Sequence, residues 1–128
     1  MGTGTGIGRV RGLGSAHHGA HHWLLQRMTA VSNLLLLVWA VTALFRLPLY
    51  NYKALVLWLQ SPWASVPLIL ATISVFYHLR LGLQVVIEDY QHDFSRVIAI
   101  VLLNFFAIGG AALAIFAILR VALVGAVA

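Results

Sequence analysis

The sequence has 128 residues, of which 62% are hydrophobic and 9% charged, with a formal net charge of +5 and a mean hydropathy of +0.95. A water-soluble domain carries about a quarter of its residues as charges, so this composition excludes one and points to a membrane protein. Three acids, Glu88, Asp89 and Asp93, with no cysteine, exclude acid/base catalysis in water by this chain alone, and also disulfides, thiolate chemistry and iron–sulfur ligation, leaving histidine as the metal ligand.

The eight basic residues stand singly along the chain, without the patch or stripe that nucleic acid requires, and read as markers of membrane ends. Residues 1–22 contain seven glycines, Arg9, Arg11 and the cluster His17, His18, His21, His22, and are expected to form a flexible arm that orders on a partner. Adjacent histidines in a glycine-rich arm lack the fixed geometry and supporting groups of a zinc or copper site. Gly2 to Gly6 is no phosphate loop, because no strand precedes it and no Gly-Lys-Ser/Thr follows. No secretory signal is expected, since the apolar region starts late and no small-residue cleavage site ends a short apolar core.

Between Arg27 and Arg46 lie 18 uncharged residues, close to the roughly 20 that cross a hydrocarbon core about 30 Å thick; a first helix is predicted over about 24–45. Pro48, Tyr50, Tyr52, Lys53, Trp58, Pro62 and Trp63 mark an interfacial loop whose rings sit at headgroup level, and its apolar run 54–59 is too short to span. A second helix is predicted over about 66–88, interrupted only by His78 and Arg80 and ended by the polar run 88–93. A third, over about 97–120, carries 23 uncharged residues between Arg96 and Arg120; Ala107, Gly110, Ala111 and Ala114 give it a smooth face for close approach of another helix. The prediction is an all-α membrane protein with a three-helix anchor domain over 23–128, packed with a partner membrane protein. Arg9, Arg11, Arg27 and Arg96 on one side against Arg46, Lys53 and Arg120 on the other favour a cytoplasmic N-terminus and a periplasmic C-terminus.

His78 stands ten residues before Glu88, which at about 1.5 Å per residue puts it roughly 15 Å deep, near the bilayer centre. An ionisable group there is a functional candidate by default. A neutral imidazole in an apolar slot is what an axial haem ligand requires, while the plainer alternative is a hydrogen bond to a carbonyl of a neighbouring helix. At about 100° per residue, Ser74, His78, Gly82, Val85 and Asp89 share one stripe of the second helix, where Gly82 leaves room for a flat macrocycle. Arg80 falls on the opposite face and calls for an anionic partner, with another protein chain or a lipid phosphate ahead of a cofactor propionate. Tyr90, beside Asp89 at the water boundary, is either a belt tyrosine or a phenol donor for a quinone carbonyl.

The string from His78 through Gly82 to Asp89-Tyr90 resembles the H-x3-G…D-Y signature of the hydrophobic membrane anchor subunit of succinate dehydrogenase. Trp23-Leu-Leu-Gln26-Arg27-Met-Thr29-Ala30, the Trp58 and Trp63 loop and the third helix are similar to that family as well; the N-terminal arm is not covered. The resemblance implies an anchor that pairs with the cytochrome b subunit of succinate dehydrogenase to dock the flavoprotein and iron–sulfur subunits, without catalysis of its own. It implies that His78 is one axial ligand of haem b, with Ser74 and Gly82 packing on the haem, and that Tyr90, with Asp89, contacts ubiquinone. Arg27 matches a basic residue near the quinone pocket or the docking surface. Arg80 has no role to carry over, because some family members are uncharged there.

Three other readings remain open: a cofactor-free helical anchor or scaffold, a fumarate reductase anchor, and a small ion-conducting protein, against which the lack of an intramembrane carboxylate counts. The start methionine and the absence of a recognisable transit peptide favour a bacterial inner membrane over a mitochondrial one.

Overall fold

The computed structural model describes residues 19–47 and 51–124; the expected arm therefore lies outside the described residues up to position 18. Four helices follow one another: α1 (Gly19–Phe45), α2 (Tyr52–Gln60), α3 (Pro62–Tyr90) and α4 (Asp93–Val124). The three long ones, of 27, 29 and 32 residues, each exceed the roughly 20 residues that cross a bilayer. All three also run past the apolar segments that predicted them, because hydropathy marks the part of a helix in lipid while its polar ends continue the same backbone. Thus α1 begins at Gly19 and takes His21 and His22 into its first turn, four residues of the expected arm being helical.

The expected interfacial loop contains α2. Asn51 starts it by accepting from Ala54 N–H at 3.3 Å, as a side-chain N-cap does. Ser61 stops it, its N–H donating to Trp58 O at 3.0 Å, and Pro62 then opens α3 at a position where its missing N–H is not needed. Trp58 stacks on Trp39 of α1, centroids 6.1 Å apart, so one of the loop's aromatics packs on the bundle.

The turn between α3 and α4 is tight. Gln91 N–H donates to Ile87 O at 2.8 Å, and Asp93 takes a left-handed φ of 54°, a conformation that aspartate tolerates better than most residues. The Ser95 hydroxyl lies 2.7 Å from His92 O and 2.9 Å from Gln91 Oε1, fixing the turn.

Among the described residues α3 packs on both α1 and α4, whereas α1 and α4 do not meet. The long helices form a layer with α3 in the middle, so both faces of α3 are used inside the chain. The predicted smooth face of α4 is spent here: Ala107 is buried, and Gly110 lies so close to Phe76 of α3 that a Cβ would stand 2.5 Å from its Cε1. Among the described residues the buried apolar core is Ala64, Leu81, Leu103 and Ala107, while Phe105, Ile108 and Leu113 are 74%, 68% and 73% exposed. Apolar surface on that scale suits lipid or a partner helix.

Candidate functional site

The stripe of α3 that carries His78 faces α1. His78 Nδ1 lies 2.9 Å from Thr29 Oγ1, and Ser74 Oγ, one turn away, donates to Thr29 O at 3.5 Å. The Thr29 hydroxyl is also 2.8 Å from Leu25 O and 3.1 Å from Gln26 O within its own helix. One turn from His78 in the other direction, a Cβ on Gly82 would sit 3.4 Å from Gln26 Nε2. The Gln26 amide thus lies against α3 at Gly82. Two hollows flank the His78 level along this seam. One is an open cleft of about 670 Å³ between the start of α1 and the end of α3, lined by His22, Trp23, Gln26, Gly82, Val85 and Glu88 among others. The second, an apolar groove of about 590 Å³, is lined by Met28, Thr29, Leu36, Ile73, Ser74 and Tyr77 among others.

Polar groups at the first hollow are incompletely satisfied. His22 Nε2 and Gln26 Oε1 are buried without a hydrogen-bond partner among the described residues, as is Asn33 Oδ1 further along α1. Buried polar atoms are normally paired, so these three atoms on α1 have hydrogen-bonding capacity that the described residues leave unused. His78 is half-buried, its Nδ1 engaged by Thr29. No group of three or more His, Asp or Glu capable of holding a metal ion exists among the described residues.

The opposite face of α3 carries Arg80, as helical spacing predicts. Its Nε donates to Asn104 Oδ1 of α4, and Asn104 Nδ2 donates in turn to Ile100 O at 2.9 Å. Within the chain the partner of Arg80 Nε is thus a neutral amide. Asn104 was visible in the sequence only as an uncharged residue of the third span; a polar side chain in an apolar helix was the signal that could have found it.

At the end of α3, Tyr90 is 79% exposed and Asp89 is exposed beside it. Glu88 is engaged by Gln84 Nε2 at 2.9 Å and by Arg96 at 3.5 Å, which leaves Asp89 and Tyr90 as the polar groups presented outward. Arg27 is exposed, its guanidinium 4.9 Å from the centre of the Trp23 ring. The Thr29–His78 and Gln26–Gly82 contacts set the register of α1 against α3 and put Arg27 level with Arg80. Ten residues then separate it from Tyr90 in height, about 15 Å at 1.5 Å per residue. Along the helix axes Arg27 therefore lies nearer the height of His78 than that of Tyr90. The same register brings the charged end of α1 within a turn of His78's height, a shallower setting than the count along α3 alone suggests.

A sequence model of the succinate dehydrogenase/fumarate reductase transmembrane subunit family matches residues 1–119. The chain is similar to the succinate dehydrogenase hydrophobic membrane anchor subunit of Rickettsia bellii (strain RML369-C), 43% identical over 86 residues that make up 66% of this chain and 67% of the relative. The corresponding protein of Rickettsia conorii (strain ATCC VR-613 / Malish 7) is 38% identical over 85 residues, 66% and 68% of the two chains.

Proposed function

The chain belongs to the succinate dehydrogenase/fumarate reductase transmembrane subunit family, and from that membership we propose that it is the membrane anchor of a succinate:quinone oxidoreductase in a bacterial inner membrane. It pairs with a cytochrome b subunit, and together they hold the flavoprotein and iron–sulfur subunits against the cytoplasmic face. The start of α1 and the α3–α4 turn lie on that face and the end of α4 on the periplasmic one. No bond of succinate is broken by this chain.

The observation that carries the reading is His78, in the interior of a 29-residue spanning helix, with Nδ1 engaged by Thr29 at 2.9 Å and no partner for Nε2 among the described residues. His78 would hold haem b through its second ring nitrogen, jointly with the cytochrome b subunit, and Ser74 and Gly82 lie on the same helix face as His78. The haem, when bound, supplies a one-electron store close to the path between the iron–sulfur clusters and the quinone. At the end of α3 the exposed Tyr90 phenol donates to a carbonyl oxygen of ubiquinone, with Asp89 beside it as an acceptor that orients the phenol or a nearby cation. Ubiquinone takes up two electrons and two protons there to leave as ubiquinol.

The test is a dithionite-reduced minus oxidised visible spectrum of the complex purified in mild detergent, with and without His78→Ala. A b-type haem signal that the substitution removes or perturbs supports the reading. A stable wild-type complex without haem would leave a cofactor-free anchor, with His78 serving as a buried polar contact between α1 and α3.

A further inference from the structure

Thr29 makes two contacts with α3, through its carbonyl with Ser74 and through its hydroxyl with His78. The hydroxyl has one proton and two lone pairs, and its oxygen is within reach of Leu25 O at 2.8 Å, Gln26 O at 3.1 Å and His78 Nδ1 at 2.9 Å. Two proton arrangements are conceivable. In one, the hydroxyl donates back to the carbonyl four residues earlier, as threonine in a helix commonly does, and accepts from His78 Nδ1–H. In the other it donates to a bare Nδ1, and the ring proton sits on Nε2, where no described residue accepts it. The second arrangement leaves an N–H without an acceptor among the described residues and puts no lone pair where a metal could bind. The first satisfies both protons.

We propose that Thr29 is a positioning residue that holds neutral His78 with its proton on Nδ1 and its Nε2 lone pair free for a metal. The proposal rests on the reading of His78 as a haem ligand and adds to it the group that orients the ligand. A ligating histidine whose other ring N–H is given to an acceptor is fixed in orientation and made more basic, and loss of such a partner typically weakens metal binding about 10–100-fold. A more basic ligand favours ferric over ferrous iron. Removing the acceptor therefore loosens the haem and raises its midpoint potential.

The experiment uses the intact complex with Thr29→Val, which keeps the shape and removes the hydroxyl; Thr29→Ala, the smaller hydroxyl-free variant, is judged by the same criteria should valine crowd the seam. Thr29→Ser keeps the hydroxyl, and Gly110→Ala loosens the packing of α3 on α4 without touching the imidazole. Haem content and the potentiometric midpoint are measured for each. The hydroxyl-free variants are expected to show about a tenfold change in the ferric-to-ferrous binding ratio, a rise of about 59 mV for one electron, together with weaker haem retention. Thr29→Ser and Gly110→Ala are expected to match the wild type. Wild-type potential and haem retention in the hydroxyl-free variants overturn the proposal, and so does an equal shift in Gly110→Ala, which would mark the effect as general loosening of the bundle. His78→Ala separates the two levels: if it keeps the haem unaltered, the ligand assignment itself falls, whereas if it loses the haem and Thr29→Val does not, only the role of Thr29 falls.

Discussion

Replacing Gly110 with alanine sets a methyl group 2.5 Å from Cε1 and 2.9 Å from Cζ of Phe76. Ordinary carbon–carbon contact needs about 3.5 Å, so the ring must withdraw by about 1 Å or α4 must move away from α3. Phe106 stands beside the ring with centroids 6.4 Å apart, which limits how far it can give. Overpacking of this kind typically costs about 1–3 kcal/mol, and the Phe76 ring tip, as the yielding part, places this site in the lower half of that range. Gly109 is the internal control: a Cβ there meets nothing within 4 Å, and alanine improves helix propensity by up to about 1 kcal/mol. Thermal unfolding of the full chain in mild detergent, followed by helical circular dichroism, should show Gly110→Ala melting below wild type and Gly109→Ala at or above it. In a double-mutant cycle, Phe76→Ala should absorb most of the Gly110→Ala penalty, since the two groups are in contact. Equal melting of the two glycine variants, or additive effects with Phe76→Ala, would refute this packing of α3 on α4.

Three further outcomes follow from the same geometry. Asn104→Leu strips Arg80 of its partner on α4 and should destabilise by about 1.5–3 kcal/mol, the range for hydrogen bonds to charged groups; Arg80→Leu added to it should restore melting, and a double variant worse than the single one would contradict the pairing. Asp93→Gly should be tolerated at φ 54°, whereas Asp93→Val should cost about 1–2 kcal/mol from left-handed backbone strain, and indistinguishable melting of the two would show that the turn relaxes. Tyr90→Phe, which removes the exposed phenol at the end of α3, should lower quinone reduction in the intact complex while leaving its haem spectrum untouched; unchanged quinone reduction and inhibitor binding would remove Tyr90 from the quinone site.

His78 and Arg80 were both legible as unusual in the sequence, and helical spacing correctly set them on opposite faces of α3. Their partners were not legible. Thr29 and Asn104 are ordinary residues in apolar helices, and nothing local says which of several polar side chains meets which at a distance of 49 or 24 residues. The depth of His78 shows the same limit: counting along α3 takes its reference from Glu88, while the register with α1 brings Arg27 to nearly the same height. The loop containing Trp58 was read as too short to span, which it is, but a short apolar run with Asn51 before it can close a capped helix once Trp39 offers it a surface.

That three segments enter a bilayer, where they begin and end to within a turn or so in most cases, and that one of them carries a histidine could all be read from the chain's residues in order. Each of these depends on the transfer free energy and helical period of a single segment, which are additive properties of nearby residues. That α3 lies between α1 and α4, that Gly110 admits Phe76, and that His78 is held by Thr29 emerged only once the helices were packed. Those depend on which helix faces meet and in what register, and between apolar helices that choice is made by shape and a few interhelical hydrogen bonds contributed by residues far apart in the chain.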